Sequence, residues 1–153
     1  MRPRRIYVPL THEQVRDLAA ERRLAAPLQG YAAGSPGRVD ARISPAAAQE
    51  DAEYLAFLAA ATHAAHLDGG ARRVVVSADA PEAAIREVST AAVGVADPVP
   101  VVLAEDLPLR AVASLHLDEA VSGVGDDAGD GAEPDLLWYD VTELDVVLGE
   151  LDR

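Results

Sequence analysis

The sequence predicts an α/β fold, a single domain over residues 1–153 in which helices pack on a mixed or mostly parallel sheet of about five or six strands. At each end of the chain, a short apolar strand runs into a capped helix. In the middle, residues 74–78 form a continuous apolar run of the β-branched type, which is typical of a central strand covered on both faces. With 153 residues, half of them apolar, the chain is long enough for one ordinary core.

The first strand and helix are predicted from the opening residues. Ile6, Tyr7 and Val8 favour a pleated backbone, and Pro9 marks a strand end or a sheet edge because it cannot donate a ladder hydrogen bond. Thr11 and Gln14 have the spacing of a capping box, so the helix should begin at residue 12.

The longest helix is predicted between Ser44 and Gly69. Ser44 followed by Pro45 is typical of an N-cap with proline at the first helical position, and Gly69-Gly70 supplies the stop. A wide apolar face for packing on the sheet is predicted from helical spacing. Its stripe comprises Leu55, Leu58, Thr62 and Ala65, with Tyr54, Phe57 and Ala61 beside it.

The remaining elements follow from alternation, turn residues and caps. We expect strands over 29–33, 74–78, 92–96, 114–118 and 136–141, a short helix over 80–87, a helical turn over 108–113, and a terminal helix capped by Thr142 and Asp145. Between these elements, the residues rich in Asp and Gly at 123–134 are predicted to form a flexible acidic loop. Trp138 and Tyr139 point to opposite faces of the last strand, and we expect Trp138 in the core.

Composition excludes several classes of function. The formal net charge of −13, with short arginine clusters and few aromatic residues, argues against nucleic-acid binding. Without cysteine there is no disulfide or thiolate zinc site, and without lysine there is no P-loop or Schiff-base chemistry. No cofactor motif is present. No leader pattern precedes the first strand and no apolar run is long enough to span a bilayer, so we expect a cytoplasmic protein.

Four segments resemble an uncharacterised family of short actinobacterial proteins. They are the opening Arg5-Ile6-Tyr7-Val8-Pro9-Leu10-Thr11, the run Arg72-Arg73-Val74-Val75-Val76, the segment Val112-Ala113-Ser114-Leu115-His116-Leu117-Asp118, and the closing Leu136-Leu137-Trp138-Tyr139. The family is a domain of unknown function, so the resemblance implies no catalytic or binding residue. The abundance of alanine and arginine, with no lysine or asparagine, likewise suggests a GC-rich bacterial genome.

One candidate site is predicted at the carboxyl edge of the sheet. If the strands ending near Pro9, Ala78 and Leu117 are parallel neighbours, His12, Asp79 and Asp118 emerge together where open α/β sheets place ligands. His12 would be a base, and the two aspartates would be metal ligands or orienting groups. The alternative is structural. Thr11 and Asp79 would cap helices, Glu13 would favour the helix dipole, and Asp118 would end a strand.

The other histidines give weaker candidates. His63 and His66 are three residues apart on the long helix, a spacing that can bring two imidazoles to one metal. In the alternative, they complement the dipole at the helix C-terminus. His116 alternates with Leu115 and Leu117, which predicts a polar residue on the surface or between layers.

Two hypotheses of function follow from these observations. The first is a non-catalytic cytoplasmic domain that acts through a protein partner, because the chain has no nucleophile or cofactor motif, is strongly acidic and contains the acidic loop at 123–134. The second is a small metal-dependent or acid-base enzyme, or a ligand-binding domain, that uses the carboxyl-end edge of the sheet. Neither hypothesis assigns an oligomeric state.

Overall fold

A computed structural model describes residues 3–34, 44–88, 97–119 and 136–152. Within these ranges, nine strands and three α-helices are present. The strands are β1 (Arg4–Leu10), β2 (Arg23–Leu24), β3 (Leu28–Ala32), β4 (Val74–Ala80), β5 (Ile85–Glu87), β6 (Val99–Leu103), β7 (Leu107–Pro108), β8 (Val112–Asp118) and β9 (Leu136–Asp140). The helices are α1 (His12–Glu21), α2 (Pro45–Ala64) and α3 (Leu144–Leu151). None of these helices is long and apolar enough to cross a membrane.

Seven strands form one sheet in the order β5-β6-β3-β1-β4-β8-β9, and β2 pairs separately with β7. Every neighbouring pair in the large sheet is antiparallel. The prediction of a mixed or mostly parallel sheet is therefore wrong, although helices do pack on a sheet as expected. Strand-to-helix junctions look alike in both kinds of sheet, so the capped junctions carried no information on strand direction.

Helices α1 and α3 cover one face of this sheet, and α2 covers the other. The larger core lies beneath α1 and α3 and includes the fully buried Ile6, Val8 and Val76. The smaller core lies beneath α2, where Tyr7 and Val75 meet a row of alanines. The side chains of β1 and β4 alternate between the two cores, so these central strands are buried on both faces, as predicted for residues 74–78.

Pro9 lies inside the sheet rather than at its edge. It pairs with Val75 of β4, and the strand continues to Leu10. On the other side, β3 pairs with β1 only along Ile6 and Tyr7, so no ladder partner lies opposite Pro9 there. The missing amide hydrogen of proline is tolerated at that position because the ladder has already ended.

Local caps at the two predicted helix starts are confirmed. Thr11 accepts a hydrogen bond from the Gln14 amide, while the Gln14 side chain accepts one from the Thr11 amide, and α1 begins at residue 12. Ser44 accepts a hydrogen bond from the Ala47 amide at the start of α2. Helix α2 ends at Ala64, before the predicted glycine stop.

The predicted apolar face of α2 is wrong in its main stripe, although Phe57 and Ala61 beside that stripe do pack against the smaller core. The buried side chains are Ala52, Ala56, Ala60, Ala61 and Ala64, whereas Tyr54 and Leu55 are exposed. Alanine allows the helix to approach the sheet closely, and the larger side chains lie along its flanks. The hydrophobicity of the leucines favoured them as core residues, but alanines occupy the buried positions.

Several other elements differ from prediction. Strand β4 runs through Asp79 to Ala80, so the short helix over 80–87 is replaced by a single 3-10 turn and β5. Strands β2, β6 and β7 were not predicted. A 3-10 turn at Leu109–Ala111 agrees with the predicted turn over 108–113, although β8 already begins at residue 112. The predicted strand at 92–96 and the predicted acidic loop at 123–134 lie outside the described residues.

The C-terminal strand and helix are confirmed with different details. The capping box is formed by Asp140 and Glu143 rather than by Thr142 and Asp145, and a 3-10 turn precedes α3. Trp138 is 61% exposed, so its predicted place in the core is wrong. Tyr139 packs against the larger core instead.

Candidate functional site

An aromatic-walled cavity lies between α2 and one half of the large sheet, from β1 to β9. Its volume is about 410 Å³. Strands β1, β4, β8 and β9 supply its floor, and the N-terminal half of α2 supplies one wall. The lining residues are Arg5, Tyr7, Glu50, Glu53, Tyr54, Phe57, Ser77, Ser114, His116, Leu136 and Trp138. We call this space the α2 cavity.

Register brings the polar residues of the floor together. Ser77 of β4 lies directly opposite Ser114 of β8, and their hydroxyl oxygens are 2.5 Å apart. The Ser114 hydroxyl is also 3.1 Å from Nε2 of His116. His116 pairs across the next ladder with Trp138 of β9. Three hydrogen-bonding side chains thus form one connected row beneath the cavity.

His116 is neutral at physiological pH. Burial, together with a smaller contribution from the positive charge of Arg5, lowers the pKa of its imidazole to about 4. The ring also lies against Phe57, with 4.8 Å between the ring centroids. A neutral imidazole offers one hydrogen-bond donor and one acceptor. The floor therefore offers hydrogen bonds without adding charge.

The wall of the cavity is built from stacked aromatic rings. Phe57 meets Tyr7 edge-on at 6.0 Å and stacks on Tyr54 at 6.4 Å between ring centroids. Burial raises the pKa of the Tyr7 phenol above its ordinary value, so this ring is also neutral. Tyr54 is 42% exposed and Trp138 is 61% exposed, so both large rings are accessible at the rim.

An ion pair borders the cavity on β1 and β4. Arg5 donates two hydrogen bonds to Asp79, at 2.7 and 3.1 Å, and this hydrogen-bonded partner raises the pKa of the guanidinium. A second space of about 420 Å³ adjoins the α2 cavity through Arg5 and Glu53. That space is polar, and its cations are already paired, since Arg4 binds Glu87 at 2.8 Å. The aromatic α2 cavity is the better candidate for a ligand.

The three residues of the predicted edge site do not meet. Strands β1, β4 and β8 are neighbours, as this site required, but they are antiparallel rather than parallel. Asp79 pairs in register with Arg5, whereas the His12 end of β1 lies beside Val74. Asp79 is five positions from Val74 along β4, a span of about 16 Å. No common site can contain both His12 and Asp79.

His12 and Asp118 do lie at the same end of the sheet, where each is hydrogen-bonded to an arginine residue. Nε2 of His12 donates to the Arg72 carbonyl oxygen at 2.8 Å. Asp118 accepts from the backbone amide of Arg73 and twice from its guanidinium, at 2.6 to 2.8 Å. This charge-assisted pair raises the pKa of the Arg73 guanidinium. These contacts give Asp118 a structural role, and a catalytic role for either residue stays a prediction.

His63 and His66 lie in different environments. Nδ1 of His63 is 3.2 Å from the Tyr31 hydroxyl, and the two rings meet edge-on. His66 lies beyond the end of α2 and is exposed. Among the described residues, no group of three or more His, Asp or Glu side chains is placed to hold a metal ion.

A family model matches residues 4–148, which is most of the chain, and describes a family of unknown function, DUF6912. The chain belongs to this family. No curated protein and no solved structure shows significant similarity to it. The resemblance noted from the four sequence segments is thus confirmed at the level of a family without an assigned activity.

In this DUF6912 chain, the sequence did carry a signal for the cavity floor. Ser77 is the one polar residue in the apolar run at 74–78, and Ser114 and His116 alternate with leucines on β8. Polar residues at every second position of a buried strand indicate a face with a polar layer. The pattern could not predict which helix packs over that face, because this depends on the tertiary fold.

Proposed function

We propose that this protein is a non-catalytic binding domain that holds a small organic molecule in the α2 cavity. The observation that carries the proposal is the connected row of Ser77, Ser114 and His116 on the floor of an aromatic-walled space of about 410 Å³. Pockets for small ligands combine apolar walls with a few fixed polar groups in this manner, and volumes of about 300–1,000 Å³ are typical.

Binding is favoured over catalysis by the state of the histidine. Ser114 and His116 are within hydrogen-bond distance, as a nucleophile and its base would be. However, a base whose pKa is about 4 accepts a proton poorly at neutral pH. Among the described residues, the His116 ring makes its hydrogen bond with Ser114 and none with a carboxylate. The arrangement is suited to hydrogen bonding with a bound molecule.

A thermal-shift screen tests this function. The probes are small aromatic and aliphatic alcohols, amides and amines, and we expect at least one to raise the melting temperature in a saturable manner. Ser114→Ala removes a floor hydroxyl without adding any atom to the buried site, and it should reduce that shift. The matched control is Thr62→Val, because Thr62 lies on the exposed side of α2. Equal responses of the two variants, or no shift with any probe, would contradict the proposal.

A protein partner is the second candidate function. Leu137 and Trp138 are 41% and 61% exposed on β9, the last strand of the large sheet. An exposed apolar strand at a sheet edge is a surface on which another chain can pair. Leu137→Asp should abolish retention of a partner in affinity capture from the host lysate, and unchanged retention would exclude this surface. The cytoplasmic location and the actinobacterial source stay predictions from the sequence.

A further inference from the structure

We propose that the α2 cavity selects an organic ammonium cation that also carries a hydroxyl or carbonyl group. This inference rests on the proposed binding function and adds the chemical class of the ligand. It depends on two features of the lining residues, which are the balance of their charges and the placement of their aromatic rings.

The charge balance of the cavity favours a cation. Glu50 and Glu53 lie on the α2 side of the cavity, and Arg5 is the one cationic side chain among the described lining residues. Asp79 neutralises Arg5 through two hydrogen bonds. His116 is neutral, as shown above, so the lining retains an excess of negative charge. An anionic ligand would be repelled, and a cation would be attracted.

The aromatic rings supply the second part of cation recognition. Tyr7, Tyr54, Phe57 and Trp138 line the same space as the two glutamates. The negative face of an aromatic ring attracts an ammonium group, and sites that bind quaternary ammonium ions use several rings for this purpose. Tyr54 and Trp138 are both exposed at the rim, so their surfaces are within reach of an entering molecule.

The polar floor determines which chemical group the other end of the ligand should carry. Ser77 and Ser114 are 1% and 6% exposed, whereas the Tyr54 and Trp138 rings at the rim are well exposed, so the floor lies deeper than the rim. A ligand with an ammonium group at one end and a hydroxyl or carbonyl group at the other would satisfy both regions. Choline has this layout and is the probe that we choose.

A titration with choline and its neutral carbon analogue, 3,3-dimethylbutan-1-ol, tests the inference. The two molecules share a shape and a hydroxyl group, so a difference in affinity reports the charge. Trp138 is the single tryptophan of the chain and lines the cavity, so its fluorescence reports binding directly. We expect choline to bind about tenfold more tightly than the neutral analogue.

Matched variants locate the effect. Glu53→Gln should reduce choline affinity severalfold and leave the neutral analogue unchanged, while Glu105→Gln, outside the cavity lining, should change neither. Tyr54→Leu should also reduce the affinity for choline. Circular dichroism of each variant confirms that it is folded, and all three positions are at least partly exposed.

The outcomes separate this inference from the function on which it rests. Equal affinities for choline and the neutral analogue would overturn the selection of a cation and leave the binding function intact. Absence of choline binding, alongside a saturable response to a neutral probe of the thermal-shift set, would have the same meaning. Absence of any response to choline, the analogue and the whole set would overturn both proposals.

Discussion

At the scale of the residue, His116 shows how far an environment can be anticipated from sequence. Its alternation with Leu115 and Leu117 predicted a polar residue facing away from the leucine core, and it does lie between the sheet and α2. The Phe57 ring above it and the Ser114 hydroxyl beside it were not foreseen. The pattern of one strand gives the direction of a side chain, but its neighbours come from elsewhere in the chain.

Protonation of His116 should destabilise the protein in mild acid. Its pKa is about 4 in the folded state and near 6.5 when unfolded, so the unfolded chain binds more protons between these values. The free energy of unfolding should therefore fall as the pH drops from 6.5 to 4, by roughly 3 kcal/mol at most. Urea denaturation across this range measures the loss.

Two histidine variants provide the controls for that measurement. His116→Gln should flatten the pH dependence, because the titrating group is gone. His66→Gln removes an exposed imidazole and should retain the wild-type profile. If His116→Gln lost stability with falling pH as steeply as the wild type, burial of the neutral imidazole would not be the cause.

Asp118 should prove more important for stability than for chemistry. It accepts three hydrogen bonds from Arg73, and both side chains are at least three-quarters buried. Asp118→Ala should lower the free energy of unfolding by about 2–3 kcal/mol, because it leaves Arg73 without its counter-charge. Asp152→Ala breaks an exposed pair with Arg16 and should cost less than about 1 kcal/mol. Equal effects in chemical denaturation would contradict this account.

At the scale of the element, local chemistry predicted where helices begin. Thr11 with Gln14, and Ser44 with Pro45, are read from neighbouring residues, and their caps form as expected. The failed helix at 80–87 shows the limit of this reasoning. Asp79 had the spacing of a cap, but its carboxylate pairs with Arg5 of β1, and β4 continues past it. A partner 74 residues away prevailed over a local motif.

Helix α2 gives a test of close packing at this scale. Ala60 is fully buried against the sheet, whereas Leu55 is 40% exposed. Ala60→Leu should destabilise the protein by about 1–3 kcal/mol because the added atoms force the helix away from the sheet. Leu55→Ala should change the free energy of unfolding by less than about 1 kcal/mol. If Leu55→Ala destabilised the protein more than Ala60→Leu in denaturant titrations, the result would support the predicted leucine face instead.

At the scale of the whole molecule, strand direction was the information that sequence did not contain. The central position of residues 74–78 was correct. The sequence left the strand order open, and the structure places β1, β4 and β8 side by side. Because these strands are antiparallel, Asp79 lies at the opposite end of the sheet from His12, and the predicted edge site does not form. The same arrangement aligns Ser77 with Ser114 and places His116 opposite Trp138. The α2 cavity therefore depends on topology, which capped junctions and apolar runs do not specify.

The most direct test of ligand binding in the α2 cavity is a two-dimensional ¹H–¹⁵N NMR titration that follows the side chain of Trp138. The protein has one tryptophan, so its indole gives a single cross-peak. We expect this peak to move saturably with a ligand from the thermal-shift set, and to move less in the folded Ser114→Ala variant. A peak that stays in place while such a ligand still stabilises the protein would show that binding occurs elsewhere and would contradict the central claim.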